Sequence, residues 1–215
     1  MSVEAGREHP LGPTTRTPRF EAAPTGHRVR MGTNLGRLLL RVTVGSIFIE
    51  HGTQKLFGWF GGQGPSGTGQ FFESLGLRPG RRNAIVAGIA EAGGGTLLVL
   101  GLATPAAASA VGSVVVTALR TAIWRDEIKV GTGGYEMLLL ANAVAIADSG
   151  PGPLSLDALL GWERRGARWA AAALGGALAG SALAIAAGRH HAEASAEDAS
   201  VSGQRGEAET TAVTS

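Results

Sequence analysis

Five apolar stretches fill the middle of the chain: Leu35–Phe57, Asn83–Leu102, Ala106–Ala122, Tyr135–Ala147 and Trp169–Gly188. A helix that spans a bilayer needs about 20 predominantly apolar residues, with a range of roughly 17–25. The first, second, third and fifth stretches meet that length. The fourth meets it only by taking in its neighbours, from Gly133 to Ser149. A soluble bundle would instead show amphipathic stripes with one charged face. The second, third and fifth stretches are apolar all round, so the pattern predicts an all-α membrane protein.

The connections agree. Gly58–Arg82 is long and Gly-rich, with Phe71, Phe72 and Leu75 spaced to lie on the membrane surface as a short amphipathic helix. Ala103–Pro105 is a tight turn, and Arg125–Gly134 carries mixed charge. In Ser149–Arg168, Ser155 is placed to cap a short interfacial helix. Small residues recur every four positions at Gly88, Ala92 and Thr96, at Ala108 and Gly112, and at Ala172, Gly176 and Gly180. That spacing lets helix backbones approach closely in lipid; an overall bias toward Ala and Gly would produce it too.

Polar segments flank this region. Residues 1–32 are basic, with Arg7, Arg16, Arg19, Arg28 and Arg30, and are expected to be disordered. They lack the apolar core of a signal peptide. Residues 190–215 are acidic, rich in Ala, Ser and Thr, and expected to be disordered as well. Lysines and arginines nearly balance on the two sides, and the basic flank of the first helix tips the N-terminus toward the cytoplasm.

Composition narrows the chemistry. The 215 residues include no cysteine, which excludes a disulfide framework, a thiolate nucleophile and an iron–sulfur cluster within this chain. The net charge is only +2 and the basic residues form no single patch, so nucleic acid is not an expected partner.

The end of the first apolar stretch reads FIEHGTQKLFGWFGG and places Glu50, His51, Gln54 and Lys55 close together. In one reading the helix ends near Glu50, Lys55 snorkels to the surface and Trp59 and Phe60 join an interfacial aromatic belt. Residues 35–49 alone would then span only about 22 Å of a hydrocarbon core about 30 Å thick. Part of the polar group is therefore expected below the interface. Glu91 sits near the middle of the second stretch, Arg120 late in the third and Glu136 at the start of the fourth. With helices alternating in direction, these residues reach one depth. Ionisable groups deep in a bilayer usually face protein or water and mark a functional path. A buried ion-pair network that only locks the helices is the competing reading.

HGTQKLFGWFGG (51–62), GTGQFFESLGL (67–77), EAGGGTLLVLGLAT (91–104) and GGYEMLLL (133–140) occur in this order, followed by GPLSLDALLG (152–161). Together they resemble the DoxX family of small bacterial integral membrane proteins. The resemblance implies a four-helix transmembrane bundle over residues 33–162 in the bacterial plasma membrane. The fifth apolar segment, at 163–189, is then an added C-terminal transmembrane helix. The family is linked to quinone-coupled oxidoreductases and to complexes that answer oxidative stress, and it supplies no mapped catalytic residues. The resemblance therefore implies a candidate polar binding site at Glu50, His51, Lys55, Glu91, Tyr135 and Glu136, with Arg120 at or near its rim.

Two functions follow. In the first, the chain is a quinone-linked or non-catalytic accessory subunit of a membrane oxidoreductase. His51, Lys55 and Tyr135 would donate hydrogen bonds, and the carboxylates would relay protons. His51 is the one histidine in a spanning segment, so a bis-histidine haem does not fit, and no dinucleotide fingerprint is present. Quinone is thus the one cofactor in view, and electrons must come from partner subunits. In the second, the chain is a membrane scaffold or a small-solute permeation protein, assembled as a homo-oligomer through its small-residue faces. No spacing resembles a metal motif.

Overall fold

The computed structural model describes residues 26–124 and 133–188, and every regular element among them is helical. Helix α1 runs Gly26–Phe57 and is followed by a short 3-10 turn at Trp59–Gly61. Then come α2 (Gly64–Ser74), α3 (Gly80–Leu100), α4 (Thr104–Trp124), α5 (Gly134–Ser149), α6 (Leu156–Leu159) and α7 (Ala167–Gly188). Most of the basic N-terminal segment, the charged connection at 125–132 and the acidic C-terminal segment lie outside the described residues. One boundary moves. α1 begins at Gly26, well before Leu35, so its 32 residues extend about 48 Å. Residues 26–34 are polar but contain no proline, and nothing in them forbids a helix.

Glycine sets how the helices meet. α1 and α3 form the most extensive pair and run antiparallel. A Cβ added to Gly52 would lie 2.4 Å from the Ala92 nitrogen, and one added to Gly45 would lie 2.6 Å from the Gly95 oxygen. Neither side admits a larger residue. The expected stripe is therefore real at Gly88 and Ala92, but it continues through Gly95 rather than Thr96. Thr96 is exposed and bonds back to the Ala92 carbonyl at 2.7 Å. α4 packs against α3 and α5, enclosing a core that includes Val44, Phe48, Leu98, Val111 and Ile146. α7 runs parallel to α4: a Cβ on Gly176 would meet Ser109, and one on Gly180 would meet Ser113. Ala172, expected on the same face, is exposed.

Among the described residues, α3 and α7 are the helices long and apolar enough to cross a membrane. Five such helices were expected. α5 has only 16 residues, about 24 Å. α1 is interrupted by Arg41, Glu50 and Lys55, and α4 is diluted by hydroxyl residues and Arg120. Hydroxyls bond back to their own helix: Thr117 of α4 to the Ser113 carbonyl at 2.7 Å and Thr53 of α1 to the Ile49 carbonyl at 2.9 Å. This is how a polar side chain is satisfied where water is scarce.

The connecting elements match their sequence. α2 is a short helix with Phe71 exposed and Phe72 and Leu75 half-buried. Gly69 lets it lie against the start of α3, and Glu73 Oε1 accepts a hydrogen bond from the Gly80 nitrogen at 3.0 Å. In α6, Ser155 Oγ accepts from the Ala158 nitrogen at 3.2 Å, the cap expected of it.

Candidate functional site

Lys55 does not snorkel away from the bundle. Its Nζ lies 2.6 Å from Glu91 Oε2, and Glu91 is only 4% exposed. The same ammonium donates to the His51 carbonyl at 3.4 Å. Gly52, Gly88 and Ala92 allow this, because they bring the α1 and α3 backbones close enough for the lysine to reach inward. An isolated charge at mid-helix depth costs about 2.5–3.5 kcal/mol on insertion scales. Pairing the two charges removes much of that cost for both.

His51 lies one turn earlier on α1 and is half-buried. Its ring meets Tyr135 of α5 edge-on, with centroids 6.3 Å apart and planes inclined at 62°. Glu50 and Glu136 both lie within electrostatic reach of His51 and Tyr135. Glu136 Oε2 is buried and has no hydrogen-bond partner among the described residues. The structure therefore gathers His51, Lys55, Glu91, Tyr135 and Glu136 where the C-terminal end of α1 meets the start of α5. Glu50 is exposed and accepts a hydrogen bond from Gln54 Nε2 at 3.2 Å, on the neighbouring face of α1. Arg120, half-buried on α4, is joined to this group by no ion pair or hydrogen bond among the described residues. Its position around the α4 axis was not legible in the sequence.

The group combines proton donors and acceptors with one exposed member. The Lys55–Glu91 pair is buried, whereas Tyr135 is 47% exposed and gives the cluster an outward-facing phenol. Among the described residues, no three of His, Asp and Glu gather closely enough to hold a metal ion.

A second buried polar centre lies at the middle of α1, about four turns before Lys55, and sequence reasoning missed it. Arg41 is 1% exposed. Its guanidinium donates to the carbonyls of Leu98 (3.0 Å), Val99 (3.1 Å), Leu154 (2.9 Å) and Pro151. The first two are carbonyls of the last turn of α3, where the Gly101 nitrogen also donates to Leu98 at 3.1 Å. Asp157, fully buried, accepts from the Ala103 and Thr104 nitrogens and from Thr104 Oγ1 at 2.8–3.0 Å, and so caps α4. Gly101 must be glycine here: its φ is +64°, and a Cβ would lie 2.5 Å from Ser155 Cβ. The signal was present, since Arg41 is a charge inside the first apolar stretch, as Glu91 is inside the second.

Comparison with known proteins agrees with the residues. The DoxX family model matches residues 36–124. A curated protein of Bacillus subtilis (strain 168), named "Putative oxidoreductase CatD", is 38% identical over 126 residues, covering 57% of this chain and 85% of that protein. No solved structure matches the chain.

Proposed function

We propose a function from one premise: the chain belongs to the DoxX family of membrane proteins. In our reading α1, α3, α4 and α5 form a four-helix transmembrane bundle in the bacterial plasma membrane, and α7 adds a fifth span. The N-terminus is cytoplasmic, on the weight of its arginines. Single cysteines at Ser2 and Ser215 test this in a chain with no native thiol. Labelling from opposite sides supports five spans, and labelling from one side contradicts them.

Within that bundle the chain acts as a quinone-linked accessory subunit of a membrane oxidoreductase. The observation that carries this is the convergence of the Lys55–Glu91 pair with His51, Tyr135 and Glu136 at one level of an apolar bundle. The oxidoreductase name of the Bacillus subtilis relative supports the same reaction class. A quinone headgroup needs a hydrogen-bond donor at each carbonyl and a source of protons. Tyr135 and His51 donate, and Glu136 relays protons. Lys55 and Glu91 hold the site neutral, and a partner dehydrogenase supplies the electrons.

The experiment is a titration of the purified protein in nanodiscs with a short-chain quinone, followed by tryptophan fluorescence. Tyr135→Phe and His51→Leu each remove one hydrogen bond, so each is expected to weaken binding about 2–10-fold. A wild-type protein that binds no quinone would leave the scaffold or permeation reading in its place.

A further inference from the structure

A groove of about 570 Å³ opens between α5 and α7, walled by Met137, Leu140, Val144, Ala170 and Leu174, with Asp148 at one end. That volume lies within the range of ligand pockets, roughly 300–1,000 Å³. The walls are almost wholly apolar, and α7 continues outward from them through the exposed Leu178 and Leu183. Such a groove suits an extended hydrocarbon chain.

The Asp148 end of the groove has a basic lip. The Gly166 nitrogen donates to the Asp148 carbonyl at 2.7 Å, which brings the start of α7 against the end of α5. Gly150 has no side chain, and a Cβ there would lie 2.8 Å from Arg165 Cβ. Arg164, Arg165 and Arg168 therefore stand where the groove ends. The guanidiniums of Arg164 and Arg168 lie 5.3 and 5.6 Å from the Trp169 ring centroid, so one indole ring orders both. Arg37 sits close by, beside Gly152. Asp148 and the exposed Glu163 are the carboxylates in this segment that no hydrogen bond or ion pair engages among the described residues. Arg41 and Asp157 are committed to backbone partners. The lip keeps an excess of positive charge beside an apolar trough.

We propose that this groove holds an acyl chain of an anionic phospholipid, whose headgroup phosphate is bound by Arg164, Arg165 and Arg168. The proposal needs the membrane bundle but none of the quinone-site residues, so the two can fail separately. Charge near a membrane surface is worth about 1 kcal/mol per arginine, a roughly fivefold effect each. Wild-type protein from nanodiscs with equal phosphatidylglycerol and phosphatidylcholine is expected to retain phosphatidylglycerol preferentially in native mass spectrometry. Replacing Arg164, Arg165 and Arg168 together by glutamine should lower that preference on the order of a hundredfold, while lysine at all three positions should keep most of it. Ala145→Phe fills the groove with the arginines intact, and it should also lose the lipid. Excess inorganic phosphate should not displace it, because a free anion leaves the trough unused. Circular dichroism shows that each variant is folded before its result is read. The proposal is overturned by a folded glutamine variant that retains phosphatidylglycerol like wild type, by retention in Ala145→Phe, by displacement with phosphate, or by a wild type without preference.

Discussion

Arg41 and Lys55 lie roughly 21 Å apart along α1, and their surroundings differ. Arg41 meets four backbone carbonyls, is almost completely buried and stands beside a carboxylate with three donors of its own. Its charge is spent on holding the ends of α3 and α4 together. Lys55 has one carboxylate and one carbonyl, and beside it Glu136 keeps a buried oxygen without a partner. That end also exposes Tyr135. A fully satisfied polar centre with no exposed member locks the fold. A partly satisfied one with an exposed member can take a ligand.

The comparison breaks most severely at the locked centre. Arg41→Leu removes the donor from the Val99, Pro151 and Leu154 carbonyls, and it should cost about 3–5 kcal/mol, at about 1–3 kcal/mol for each buried carbonyl left unpaired. Folded yield and melting temperature in detergent measure it. Arg41→Lys should not rescue, because an ammonium lacks the planar fork that reaches several carbonyls at once.

Glu91→Leu should rank next, at about 2 kcal/mol, somewhat less because Lys55 is partly exposed and can turn toward solvent. Glu91→Gln should be milder, since it keeps a hydrogen-bonding group beside Lys55. The double variant Glu91→Leu with Lys55→Met should recover most of the loss if the pair accounts for it. Equal melting of all three variants and wild type would remove the pair from the energetics.

Gly52→Ala tests the packing that lets Lys55 reach Glu91. The added methyl would sit 2.4 Å from the Ala92 backbone nitrogen, so α1 and α3 must separate, at about 1–3 kcal/mol. Gly93→Ala on α3 is the control, because nothing lies within 4 Å of its added Cβ.

The fold was largely legible because its signals are local. Apolar length marked α3 and α7, Ser155 marked the cap of α6, and the Gly–Ala spacing marked the α1–α3 contact at Gly88 and Ala92. The site was legible as far as energetics reaches: several charges too costly alone implied a shared polar level, but not which of them would pair. Arg41 escaped because its acceptors come from residues 98, 99, 151 and 154, far along the chain, and no local pattern announces a carbonyl as a partner. Arg120 was drawn toward the cluster because depth along a helix can be counted from sequence, whereas rotation about its axis depends on packing.

The smallest effect on stability should come from His51→Leu and Tyr135→Phe, below about 1 kcal/mol each, since neither carries a hydrogen bond that holds the bundle together. Their effect should instead appear in binding, and that makes quinone titration of these two variants beside wild type, in the same nanodiscs, the most direct test of the account. The account predicts unchanged melting with affinity weakened about 2–10-fold in each variant. Wild-type affinity in both variants, or no binding by the wild type itself, would contradict it.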